Sequence, residues 1–167
     1  CGLKFTLADI HTQDESTDSD GNTTYTTVFL GPVAVVELNK LKDLDIFITS
    51  NRAKIFRSNE YMELDNQLFE DKFDVFTNND VLAMRILTPS FTNKILELHD
   101  SFGFFFEIKM VDGLVFFRFY SDTLFEPSPY NIEKEATDIA FYFNMLDGMK
   151  KIMDEIQQNN KKKEDEG

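Results

Sequence analysis

The chain has 167 residues, with 30 acidic and 17 basic side chains, so its formal net charge is −13 at pH 7. That length suits one domain, and 42% apolar residues, with 18 Phe in the chain, exclude a disordered one. The negative charge argues against wrapping nucleic acid, which needs a basic face, and a single Cys cannot make an internal disulfide or a zinc cluster.

No apolar run approaches the ~20 residues that a membrane-spanning helix needs. The chain opens on Cys1-Gly2 and goes directly into the alternating run Leu3-Lys4-Phe5-Thr6-Leu7, without an initiator Met or a signal peptide. This opening reads as an excised piece of a longer protein. The one unpaired Cys suits a reducing compartment.

Leu3–His11 alternates apolar and polar residues and predicts a strand, with Leu3, Phe5 and Leu7 on one side. A polar loop, Asp14–Asn22, follows, and Thr23–Leu30 returns as the second strand of a hairpin. Gly31-Pro32 punctuates, which makes Val33–Leu38 a separate strand. Asp45–Thr49, Tyr61–Leu64 and Phe73–Thr77 are further short strands. The period then changes. Asn79-Asp80 caps a short helix through Leu87. Thr88-Pro89 starts another, with Pro at the first helical position, where its missing N–H costs nothing. Phe91, Ile95, Leu98 and Phe102 fall on one face of that helix, and Gly103 stands where a glycine ends it.

Asp112-Gly113, between Phe104–Val111 and Leu114–Tyr120, is the dipeptide of a tight type I′ turn. Taking those two residues as the loop fixes a register. Met110 faces Val115, Ile108 faces Phe117 and Phe106 faces Phe119, which makes one face apolar. On the other face Lys109 meets Phe116, and Glu107 meets Arg118 as a cross-strand ion pair. One face is core and the other is partly covered.

A long helix from about Asn131 to Gln158 closes the domain, with Ile132, Ala136, Ile139, Phe143, Leu146, Met149, Met153 and Ile156 as its apolar stripe. Asn159–Gly167 has nothing to bury and is expected to be a disordered polar tail. The fold class is therefore α+β: an antiparallel sheet of six to seven strands with two short central helices and a long C-terminal helix, forming a single domain over residues 1–158. A long helix packed on curved antiparallel strands is similar to the pleckstrin-homology arrangement, from which the helices between Leu82 and Phe102 depart.

Three short motifs carry a second resemblance: Phe73-Asp74-Val75-Phe76, Ile86-Leu87-Thr88-Pro89 and Leu124-Phe125-Glu126-Pro127. Their order and spacing, with Val28-Phe29-Leu30-Gly31 upstream, resemble the bacterial family called domain of unknown function 3137, over most of the chain from about Leu3. The resemblance implies transmembrane segments ahead of this soluble region and a place on the cytoplasmic side of the bacterial inner membrane. It transfers no catalytic residue. Thr88-Pro89 also reads as a helix start, and Glu126-Pro127 as the turn into the last helix.

Other constellations are weak. Ser16-Thr17-Asp18-Ser19-Asp20-Gly21 looks like part of a calcium loop, but Ser16 stands where Asp is needed and Thr27 where a bidentate Glu is needed. His11 and His99 lack spaced partners, and carboxylates such as Asp71 and Asp74 are ordinary in so acidic a chain. Neither phosphate-loop glycines nor a nucleophile motif occurs, so no catalytic residue, metal site or cofactor is expected. Lys40–Glu60 runs locally basic, and Arg52, Lys54 and Arg57 are candidate contacts for anionic head groups.

The expected function is a non-enzymatic interaction or regulatory domain of a membrane-anchored protein, with an unidentified protein partner and no nucleic acid. The alternatives are a pleckstrin-homology-like lipid or small-ligand module, and an enzyme with a carboxylate site.

Overall fold

The computed structural model describes residues 4–38, 42–50, 61–103, 105–121 and 132–164. The chain begins with a long hairpin, β1 (Phe5–Thr17) and β2 (Thr23–Glu37). Both strands outrun the expected ones: past His11, β1 is carried on to Thr17 by its ladder with the Thr- and Tyr-rich start of β2. At the tip, Asp18 Oδ1 accepts hydrogen bonds from the backbone N–H of Asp20 and of Asn22, both at 2.9 Å. Those bonds, led by that of Asn22, hold its carboxyl below the usual carboxylate range.

Gly31-Pro32 does not end the strand as expected. Both residues sit inside β2 and pair with β1, Gly31 with Ile10 and Pro32 with Asp9. Pro32 lacks an N–H, and it lies just outside the stretch of β2 that pairs with a second neighbour, so no ladder bond is lost there. Gly31 is required for another reason. Its φ is +146°, and a Cβ would stand 2.0 Å from the carbonyl oxygen of Phe119.

β3 (Ile46–Ser50) and β4 (Tyr61–Met62) follow, then α1 (Gln67–Glu70), β5 (Phe73–Thr77), α2 (Asp80–Ile86) and α3 (Pro89–Phe102). α1 has no counterpart in the sequence expectations. It is one turn, too short to show a period, and is started by Asn66, whose side chain accepts from the N–H of Phe69. α2 and α3 begin at the expected caps, Asn79 and Thr88, and α3 ends on Gly103 at φ +68°. β6 (Phe106–Val111) and β7 (Leu114–Phe119) form the expected hairpin. Asp112 and Gly113 have φ of 53° and 77°, and all the expected facing pairs occur.

All strand pairs are antiparallel, in the order β1-β2-β7-β6-β3-β5-β4. The hairpin made last in the chain therefore lies between β2 and β3. On one face of the sheet Phe117, Phe119, Phe106, Ile108, Ile46, Ile48, Phe73 and Val75 are fully buried. Each such side chain contributes about 1.5–3 kcal/mol.

α3 and α4 (Ile132–Glu164) close that face. The His99 ring meets Phe73 edge-on at 5.4 Å, and Phe102 bridges Phe119 at 6.2 Å and Phe141 at 5.3 Å. The Tyr142 hydroxyl donates to Asp9 at 3.1 Å, and burial, aided by the Asp9 charge, raises the phenol pKa above its ordinary value. α4 differs from expectation twice. Its buried stripe is Tyr142, Met145, Met149, Ile152, Met153 and Ile156, while Ile139 and Phe143 face outward. It also runs on to Glu164 rather than stopping at Gln158, since Lys and Glu are good helix formers even with nothing to bury.

Replacing Gly31 by Ala tests the close approach to Phe119. Urea unfolding should show a loss of about 2 kcal/mol or more, from positive-φ strain and the clash with a backbone atom.

Candidate functional site

Strand alternation sends every second side chain to the sheet face turned away from α3 and α4. Cross-strand pairing then assembles two rows there. One contains Val35, Phe116, Lys109, Phe47, Phe76 and Tyr61, and the other contains Val33, Arg118, Glu107, Thr49 and Asp74. The aromatic members of the first row are half-buried, not covered as a core would be. Phe47 and Phe76 stack at 6.2 Å, and Tyr61 meets Phe76 edge-on at 6.0 Å. At the far end of that row the Tyr61 hydroxyl donates to Glu70, which also accepts from the N–H of Leu64 at 2.9 Å.

Arg118 organises the second row. Its Nη2 donates to Glu107 Oε2, and to the Tyr120 hydroxyl at 2.9 Å. Its guanidinium carbon lies 5.3 Å from the Phe29 ring centre and 5.8 Å from that of Tyr120, within cation–π range. Glu107 is 9% exposed, and Thr49 Oγ1 donates to its other oxygen at 3.2 Å. The Arg118 side chain remains 44% exposed. Lys109 is held more loosely, 3.8 Å from Asp45 with both side chains exposed.

Between these groups is a cleft of about 550 Å³, lined by Asp45, Phe47, Phe76, Thr77, Asn78, Lys109 and Arg118. Two rings, two cations and one carboxylate converge on it. The cleft can hold a flat apolar body on Phe47 and Phe76 and an anionic group on Lys109 and Arg118.

The candidate contacts Arg52, Lys54 and Arg57 lie outside the described residues, as do Lys40 and the Leu124–Pro127 motif. The acidic loop is a turn held by Asp18, and among the described residues no group of three or more His, Cys, Asp or Glu could hold a metal ion. His11 bonds Thr27 at 3.0 Å and His99 bonds Asp100 at 3.2 Å, far apart in the fold. In the sequence Lys109 and Arg118 stand on the partly covered face of the hairpin, with no local pattern that marks them as a site. What the sequence did not show was that Phe47 lies beside Lys109.

The structure thus defines an α+β domain with one sheet face closed by helices and the other aromatic and charged. The family described as protein of unknown function (DUF3137) matches residues 27–158, and the chain belongs to that family. The match leaves out β1 and the start of β2, which the resemblance from Leu3 had included. No curated protein and no solved structure matches the chain. Within the family motifs, Thr88 Oγ1 accepts from the N–H of Phe91 at 3.3 Å and from the Asn159 amide at 3.2 Å, tying the start of α3 to α4.

The two cations should differ in their structural role. Arg118→Met strands a buried carboxylate and should cost about 1–3 kcal/mol in denaturant unfolding. Lys109→Met removes only an exposed, loose pair and should cost about 0.5 kcal/mol or less.

Proposed function

We propose that the chain is a non-enzymatic interaction domain carried at the inner face of a bacterial membrane, and that the cleft on the outer sheet face is its recognition site. The observation that carries this reading is the meeting of the Phe47–Phe76 stack with Lys109 and Arg118 in one cleft. The class of ligand is a small molecule joining a flat apolar body to an anionic group. Stacking on the rings contributes about 0.5–1.5 kcal/mol. Lys109 can turn from Asp45 to the ligand at little cost, because an exposed pair at 3.8 Å is weak. Arg118 has five N–H donors, and Glu107 and Tyr120 take only some of them. The lining groups are suited to holding a ligand: Thr77 donates its hydroxyl to the backbone carbonyl of Asp45, not to a base.

The membrane setting rests on the family resemblance. In that setting we assign Arg52, Lys54 and Arg57 to contact with anionic head groups.

Phenyl phosphate is a suitable probe for the cleft. In an amide NMR titration it should shift the signals of Phe47, Phe76, Lys109 and Arg118 at millimolar concentration or below, with inorganic phosphate at least about fivefold weaker for want of the rings. Lys109→Met should weaken phenyl phosphate similarly. Shifts that avoid this face, or equal binding of the two probes, would overturn the reading. The lipid contact is checked separately by flotation. Phosphatidylglycerol vesicles should retain the wild-type chain, pure phosphatidylcholine vesicles should not, and reversing all three charges should abolish retention while leaving the phenyl phosphate titration unchanged.

A further inference from the structure

The cleft contains one charged group that a simple anion would not use. Asp45 lines it beside the two cations, and its Oδ1 lies 3.8 Å from Lys109 Nζ. That pair is loose and open to water, with 48% of the lysine side chain and 41% of the aspartate side chain exposed. An anion bound to Lys109 would stand close to the Asp45 carboxylate and be repelled by it. A ligand carrying both signs meets no such conflict. Its anionic end takes Lys109 and its cationic end takes Asp45, so that four charges alternate in sign around a closed ring.

The arrangement around Phe47 says how those charges and a ring must be joined. Asp45 stands two residues before Phe47, on the same side of the chain, while Lys109 faces Phe47 from β6 and Phe76 faces it from β5. The charges therefore lie to one side of the Phe47 ring and the second ring lies to the other. The Thr77 hydroxyl fixes the chain at Asp45 by donating to its backbone carbonyl at 2.7 Å. Arg118, with its side chain 44% exposed, adds a second donor for the anionic end.

We infer that the cleft takes a free aromatic α-amino acid, an inference that rests on the cleft being the recognition site. Such a molecule carries its ammonium and its carboxylate on one carbon, which suits two opposite charges 3.8 Å apart. Charge-assisted hydrogen bonds of about 2.8 Å join its carboxylate to Lys109 and Arg118 and its ammonium to Asp45. One methylene further on, its ring lies over the Phe47–Phe76 stack. A peptide cannot do this, because its ammonium and carboxylate stand at opposite ends of the chain. The amino acid has no net charge, so a protein of net charge −13 does not repel it.

Amide NMR titrations of the full chain test the inference with L-phenylalanine, 3-phenylpropanoate, 2-phenylethylamine and glycine. Phenylalanine should shift the signals of Asp45, Phe47, Phe76 and Lys109. It should bind at least about threefold tighter than 3-phenylpropanoate, which lacks the ammonium, and than 2-phenylethylamine, which lacks the carboxylate. Glycine lacks the ring and should also be weaker by about threefold or more. Asp45→Asn should bring phenylalanine down to the level of 3-phenylpropanoate, and should tighten phenyl phosphate by removing a repelling neighbour. Phenylalanine binding no tighter than 3-phenylpropanoate, or a preference unchanged in Asp45→Asn, would overturn the inference, while phenyl phosphate shifts at the cleft leave the recognition site standing. If neither phenylalanine nor phenyl phosphate shifts this face, the site itself falls and the inference falls with it.

Discussion

The structure depends on where the β6–β7 hairpin is inserted. β1–β2 and β3–β5–β4 share no ladder of their own, and they become one sheet only because β7 pairs with β2 while β6 pairs with β3. The two-residue turn Asp112-Gly113 sets the register of that wedge, and with it the register of everything on either side. A slip of one residue would turn Phe106, Ile108, Phe117 and Phe119 outward and carry Glu107 and Arg118 into the helix-packed face. The left-handed conformation of Asp112 and Gly113 is the local chemistry that prevents this. The same wedge brings the tail of β7 against β2, where only a glycine at position 31 leaves room for the Phe119 carbonyl.

Once the register is fixed, the two faces have different fates. The inner one is apolar across five strands and is closed by α3 and α4, with Phe102 as the ring between sheet and helix. The outer one alternates rings and charges. It is kept in order by a nearly buried Glu107, which takes Arg118 from one neighbour strand and Thr49 from the other. A carboxylate in that position ties three strands together without filling the face with apolar mass. The rings beside it stay half-exposed, and a cleft remains.

How much of this could be read from the sequence depended on range. The β6–β7 register was legible because the turn dipeptide and the alternation lie in one continuous stretch, Phe104–Tyr120, and agree. The caps at Asn79 and Thr88 were legible for the same reason. Gly31-Pro32 misled because those residues usually break a strand, whereas here one accommodates a neighbouring carbonyl and the other sits where no partner needs its N–H. In α4 the expected stripe holds for Met149, Met153 and Ile156 and fails for Ala136, Ile139 and Phe143. Ile139 and Phe143 share a spacing with Leu146 and Met149, so a list of apolar positions merges two stripes, and only the packing of Tyr142 on Asp9 shows which is inside. The cleft needed β3 beside β6, a pairing between residues about sixty apart that no local pattern records.

The net charge of −13 and the proposed anion site act over different distances. At physiological salt the Debye length is about 8 Å, so the acidic groups of the β1–β2 tip and of α4 are screened from the cleft. Within contact range the balance is local. Lys109 and Arg118 face Asp45 and Glu107, and Glu107 is committed to Arg118 and Thr49. An anion that arrives therefore meets Lys109 and the unused edge of a guanidinium, not the average charge of the chain. The acidic surface slows its arrival rather than cancelling its binding, which favours a small ligand whose rings supply part of the affinity over a polyanion held by charge alone.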